Sequence, residues 1–138
     1  MIGKKFQSEK SSFIDKNTGN TISKLTNSAN NFHFYFTDNS FLSGDKEIIF
    51  LSDRGAKKEH QYNFFKMNLD SGEMTCLSDE EDIEPNTYTK TPDGEILLYK
   101  SGLEIKRLNI HDGSTQVIYR TTPDRDIKSL SIKRDKNK

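Results

Sequence analysis

Two parts of this chain repeat one another, and the repeat restricts the architecture more than any single motif does. "SGDKEIIFLSD" from Ser43 aligns with "TPDGEILLYKS" from Thr91, so that Ile48, Ile49 and Phe50 fall on Ile96, Leu97 and Leu98. Further on, "FKMNLDSGEMTCLSD" from Phe65 aligns with "KRLNIHDGSTQVIYR" from Lys106, which sets Met67, Asn68 and Leu69 on Leu108, Asn109 and Ile110. The first unit is longer mainly by the excursion "RGAKKEHQYN". Every apolar run within the units is short, rich in Ile, Phe, Tyr and Thr, and closed by turn chemistry: "NTG" at Asn17, "SGD" at Ser43, "DSG" at Asp70, "PDG" at Pro92 and "HDG" at His111. Residues that tolerate positive φ at such points let a tight hairpin follow the twist of the strands it joins. No run keeps a helical stripe for three turns, so the pattern predicts an antiparallel meander throughout.

A four-stranded unit recurring at about 40 residues is the signature of a β-propeller blade. Ahead of both units, "SSFIDKNTGNTISKLT" repeats only the second hairpin of the pattern; after both, "DIKSLSIKRDKNK" supplies only an opening strand. The expected organisation is therefore an outer-strand hairpin at residues 1–27, a blade at 28–86, a second blade at 87–123, and the start of a further blade or a frayed tail at 124–138. Closed propellers use about four to eight blades. The expected fold class is all-β, with antiparallel four-stranded blades that make an incomplete ring. Unmatched blade faces at both ends predict self-association. In this reading "FHFYFTDNSF" is the innermost strand of the first blade, with aromatics directed to both sides because neighbours cover both faces.

Composition narrows the function classes. The chain is 31% hydrophobic and 30% charged, with 21 basic against 21 acidic residues, so no bulk charge argues for nucleic acid or an anionic membrane. The opening "MIGKKFQSEKSS" has no apolar stretch of signal-peptide length, and no long apolar run follows it. A soluble, cytoplasmic protein is expected, with no nucleic acid or membrane as partner. The single cysteine, Cys76, lies in the alternating run "EMTCLS" and reads as a small buried hydrophobe.

The succession "GKKFQSEKSSFIDKNTGNTISKLT", "FHFYFTDNSF", "IIFLSDRG" and "FFKMNLDSGEMTCLSD" resembles the N-terminal portion of oligogalacturonate lyase, a propeller with TolB-like blades. The resemblance covers about the first 123 residues. It implies β-elimination of short or unsaturated oligogalacturonates in pectin breakdown, a manganese ion, and a catalytic histidine. It also implies that the metal-binding His and Gln residues and that histidine lie in later blades. No matching motif occurs here, so no catalytic or metal residue is assigned in this chain, which is expected to be inactive by itself. The alternative is a non-enzymatic propeller-fragment module that oligomerises.

Elimination next to a uronate carboxylate needs a base, a cation to hold the growing charge, and an outlet for the leaving oxygen. His33, His60 and His111 have neither the i, i+2 nor the i, i+4 spacing of a self-sufficient metal site. The meander places His33, Asp53, Arg54 and His60 at one end of the blades and His111 at the other. Substrate binding is therefore assigned to His33 and Arg54, as donors to a carboxylate. The competing structural reading has His33 satisfying a backbone carbonyl and the Asp53-Arg54 pair tying a loop. Tyr35 and Tyr62 read as packing residues with a wet hydroxyl. The acidic run "SDEEDIEP" lacks the alternation and central glycine of a calcium loop, and reads as a solvated connection ended by Pro85.

Overall fold

The computed structural model describes residues 1–35 and 38–130. Phe36 and Thr37, within the predicted inner strand, and the terminal residues 131–138 lie outside the described residues. Among the described residues, eleven strands and one short 3₁₀ turn, Ser43–Asp45, make up the regular structure, with no α-helix. The first sheet holds β1 (Lys5–Phe6), β4 (Asn31–His33), β5 (Glu47–Ser52), β6 (Asn63–Asn68) and β7 (Met74–Cys76), in the order β1-β7-β6-β5-β4. The second holds β8 (Ile83–Lys90), β9 (Ile96–Ser101), β10 (Glu104–Asn109) and β11 (Thr115–Arg120), in the order β11-β10-β9-β8. A separate two-stranded hairpin pairs β2 (Ser11–Ile14) with β3 (Thr21–Lys24). All pairings are antiparallel.

Strand alternation decides which side chains meet between the sheets. On β6, Phe64 faces the second sheet, while Phe65 and Met67 face the N-terminal segment; all three are fully buried. Phe64 meets Tyr99 at 5.1 Å, Tyr88 at 5.9 Å and Phe34 at 6.1 Å between ring centroids, and Phe34 lies 4.4 Å from Tyr88. Leu42, Ile49, Leu51, Leu77, Ile83, Leu97, Leu108 and Ile110 complete this core. A smaller core on the far side of the first sheet joins Phe50, Phe65, Met67, Met74 and Cys76 to Met1, Phe6 and Leu25. Cys76 is buried there as expected, its thiol donating to the Ser78 carbonyl at 3.0 Å.

Every glycine of the expected turns takes positive φ, including Gly72 at 76° and Gly113 at 75°. At Gly113 proximity matters as well: a Cβ there would stand 2.9 Å from the Leu77 carbonyl oxygen, so the turn after β10 rests on the first sheet.

The organisation differs from the sequence reading in three places. The first sheet has five strands because residues 3–6 add to the outer edge of β7, Lys5 opposite Thr75 and Phe6 opposite Met74. Among the described residues of the predicted inner strand and its lead-in, only Asn31–His33 form a regular strand, and Phe32 and Tyr35 are 48% and 64% exposed rather than covered. The second sheet begins at Ile83 and contains Pro85, which an edge strand with a register shift accommodates because the missing N–H is not needed in the ladder. The described part of the segment read as the start of a further blade or a frayed tail, residues 124–130, holds no strand.

Replacing Phe64 with alanine is expected to lower unfolding stability in urea by about 3–5 kcal/mol, since an aromatic touching both sheets leaves a cavity when truncated. Phe41, 46% exposed, should cost under about 1 kcal/mol when truncated in the same way.

Candidate functional site

β4 and β8 are the edge strands of their sheets, and the Phe34–Tyr88 contact brings the two edges side by side. Between them runs a groove of about 530 Å³ lined by Asn31, Phe32, His33, Tyr35, Pro85, Asn86 and Tyr88. It adjoins a recess of about 350 Å³ that shares Tyr35, Asn86 and Tyr88 and adds Asp38, Ser129 and Leu130. The lining combines exposed aromatic faces with amides, an imidazole and a carboxylate.

Backbone constraints set these side chains. Asn31, Phe32 and His33 pair with Ser52, Leu51 and Phe50, and Phe34 turns inward to the core. The Phe34 amide donates to Ser40 Oγ at 2.8 Å and the Tyr35 amide to the Tyr88 hydroxyl at 3.2 Å. Burial, followed by the Asp38 charge, raises the Tyr88 phenol above its ordinary range despite the Tyr35 amide. That phenol therefore stays neutral and able to donate. His33 Nδ1 lies 2.6 Å from the Phe34 carbonyl oxygen. A carbonyl only accepts, so Nδ1 carries a proton and Nε2 is the atom presented to a ligand. Phe32 stands edge-on to Tyr62, 5.3 Å between centroids, which holds its ring upright at the groove. Asp38 accepts from Thr89 Oγ1 at 3.1 Å.

Arg54 is elsewhere. Its side chain is 7% exposed and its fork closes on Glu9, with Nη1 to Oε2 at 2.6 Å and Nη2 to Oε1 at 3.1 Å. It also donates to Ser28 Oγ at 3.1 Å and to the Ser28 carbonyl at 3.0 Å, and its Nε is buried without a partner. Glu9 precedes the β2–β3 hairpin and Ser28 follows it. The Glu9 carboxylate in turn accepts from the Asn27 and Ser28 amides at 2.8 and 3.0 Å and from Ser28 Oγ at 2.6 Å. Beside it, Asp53 accepts from the amide and side chain of Asn30, both at 2.7 Å. Arg54 and Asp53 thus tie the ends of the hairpin to the first sheet, and the structure does not bring Arg54 into the groove with His33. His60 and His111 are exposed, each 3.5 Å from a glutamate, Glu59 and Glu95.

The acidic connection holds a residue that sequence reasoning missed. Glu80 turns inward to accept from Lys106 Nζ at 2.7 and 2.9 Å, the Tyr99 hydroxyl at 2.9 Å and Ser101 Oγ at 3.0 Å. Burial first, then the Glu80 charge, push the Tyr99 phenol well above its usual range. Asn63 and Gln61 fix the Glu80 backbone from the first sheet. Asn86 of the groove was likewise not singled out; its only sequence signal is its place after Pro85. Among the described residues no three His, Cys, Asp or Glu side chains gather as a metal group.

An oligogalacturonate lyase from Vibrio parahaemolyticus superposes with a TM-score of 0.75 and 18% identity, covering 90% of this chain and 32% of that one. A manganese complex of oligogalacturonate lyase gives 0.74 and 18%, covering 89% of this chain and 32% of that one. The fold is that of β-propeller blades. The chain spans about a third of the length of these neighbours. No protein-family model and no curated protein matches the sequence.

The hairpin tie predicts a pH dependence. Burial raises the Glu9 carboxyl, but Arg54, Asn27 and Ser28 outweigh it and lower it from 4.5 to about 2. A depressed carboxylate stabilises the fold above its unfolded value and loses that contribution as pH falls from 4.5 towards about 2. The contribution at neutral pH is about 2 kcal/mol after allowance for partial exposure. Acid titrations of stability should therefore show a limb between these values that Glu9→Gln flattens; an unchanged limb would mean the tie carries no linkage.

Proposed function

We propose that this chain supplies one wall of an oligogalacturonate-lyase-like propeller site and binds galacturonate oligosaccharides along the groove between β4 and β8. The observation that carries the reading is the inner-edge groove itself, in a fold shared with oligogalacturonate lyase over about a third of that enzyme's length. Its chemistry suits an acidic sugar. Phe32 and Tyr35 offer exposed ring faces to pyranose C–H groups, Asn31 and Asn86 offer amides to hydroxyls, and His33 Nε2 faces the carboxylate or a hydroxyl. Arg54 acts in this proposal by positioning: through Ser28, and beside Asp53 and Asn30, it holds the entry to β4 rather than touching sugar.

Manganese does not fit the residues described here, because they gather no group of three ligands. No step is assigned to a metal, and no base is assigned for removing the proton next to the carboxylate. The chain by itself is proposed to bind without eliminating.

Titrating the isotopically labelled chain with trigalacturonate should move the amide resonances of Asn31 to Tyr35, Asn86 and Tyr88, and a neutral glucose trisaccharide should not. His33→Ala should weaken that binding by about tenfold to hundredfold, the cost of one hydrogen bond to a charged partner. Equal shifts with the neutral sugar, or an unaltered affinity in the variant, would remove the sugar reading. Ultraviolet absorbance from conjugated unsaturated uronate should stay flat; growth of that band would show that the chain eliminates unaided.

A further inference from the structure

We infer that His33 sets the groove's preference for acidic sugars by taking up a proton as they bind, so that only the doubly protonated ring holds the carboxylate. The inference rests on the sugar reading of the groove and assigns the charge state in which that site works.

The β4 side of the groove is built from acceptors. Both hydrogens of the Asn31 side-chain amide are committed, Nδ2 donating to the Ser28 carbonyl at 2.9 Å and to the Ala29 carbonyl at 3.2 Å. Its Oδ1 is buried without a protein partner. His33 stands two residues on, so strand alternation puts it on the same side of β4. With the Nδ1 proton held by the Phe34 carbonyl at 2.6 Å, a neutral ring has only a lone pair to offer at Nε2. That lone pair can accept from a sugar hydroxyl, as Asn31 Oδ1 can. It cannot bond a carboxylate oxygen, which has only lone pairs as well.

A carboxylate also calls for positive charge, and no lysine or arginine lines the groove or the adjoining recess. Arg54 is closed on Glu9. The titratable groups that share these two spaces with His33 are Tyr35 and Tyr88, with Asp38 in the recess. Towards the hairpin, His33 borders a hollow of about 130 Å³ that is lined beyond β4 by Leu25, Thr26, Ile48, Phe50 and Met67, none of them ionisable. Phe50 is also its partner across the β4–β5 pair. The cation available to an acidic ligand here is therefore the His33 imidazolium, and both Asp38 and the ligand's own carboxylate favour that form. The proton comes from solvent: Nε2 gains it, the ring becomes a cation, and the new N–H donates to a carboxylate oxygen. A neutral sugar brings no charge to drive the change.

Imidazole changes charge between about pH 5 and 8, while a uronate carboxylate stays ionised over that range. Because binding takes up a proton, affinity should fall as pH rises. Titrations of the labelled chain with trigalacturonate from about pH 5.5 to 8.5 should show a loss of about tenfold to hundredfold, the worth of one hydrogen bond to a charged partner. Nitrogen spectra of the ring should show Nδ1 alone protonated in the free chain at the alkaline end, and both nitrogens protonated in the complex. His33→Gln, which cannot ionise, should bind with no pH dependence, and His33→Ala should match the alkaline affinity of the unaltered chain at every pH. Neither should change the thermal melt, and His60→Ala and His111→Ala should leave the profile as it was. Amide shifts in the groove with a flat pH profile, or with a neutral His33 ring in the complex, would overturn this inference while leaving the sugar reading in place. No amide shifts even at the acid end would overturn both.

Discussion

The packing of Phe64 against Phe34, Tyr88 and Tyr99 is the contact on which the rest of this structure depends. It joins two sheets whose strands, β1 apart, are connected by local hairpins, and it does so with rings donated from β6, β8, β9 and the residue after β4. Such non-local contacts must offset the loop-closure entropy of bringing the sheets together. Because Phe34 points into this core, alternation sends His33 and Tyr35 the other way, to the groove. Because Tyr88 packs beside Phe34, its hydroxyl reaches the Tyr35 amide. The groove is thus a by-product of core packing: its side chains are placed by residues that cannot move without opening the core.

Two polar assemblies hold what the aromatic core does not reach. Glu80 lies on the connection between the sheets, and its carboxylate gathers Lys106, Tyr99 and Ser101 from the second sheet while Asn63 holds its amide from the first. Removing only one partner of such a buried group costs more than the pair contributes, because the remaining charge has lost water as well. Glu9 does the same for the hairpin, at the outer side of the first sheet. Both are carboxylates that look like ordinary surface acids in the sequence, and both are defined by partners distant along the chain.

That distance explains what could be read beforehand and what could not. Turns declare themselves locally, so every hairpin glycine and the repeat of Ile48-Ile49-Phe50 on Ile96-Leu97-Leu98 were legible, and with them the all-β class. The addition of β1 to β7 was not, since two residues carry no periodicity and their partners lie some seventy positions away. Arg54 was legible as a carboxylate-binding fork; which carboxylate it would take, Glu9 at a separation of 45 residues, was decided by the fold. The competing structural reading of His33, a ring nitrogen on a backbone carbonyl, describes its Nδ1, while Nε2 keeps the substrate reading open to test. Asn86 escaped notice because a proline beside it reads as a break, and only an edge strand with a register shift makes that segment part of a sheet.

The central claim is that the two sheets form one cooperative unit through the Phe64 cluster, with the hairpin attached to it by side-chain ties. Native-state hydrogen exchange measures this residue by residue. The amides of β5, β6, β9 and β10 should exchange only through one shared global opening, with the same denaturant dependence in both sheets, and those of β2 and β3 should exchange much faster. If the two sheets instead open separately, each with its own free energy and denaturant slope, the aromatic contact does not unite them and the account of the groove fails with it.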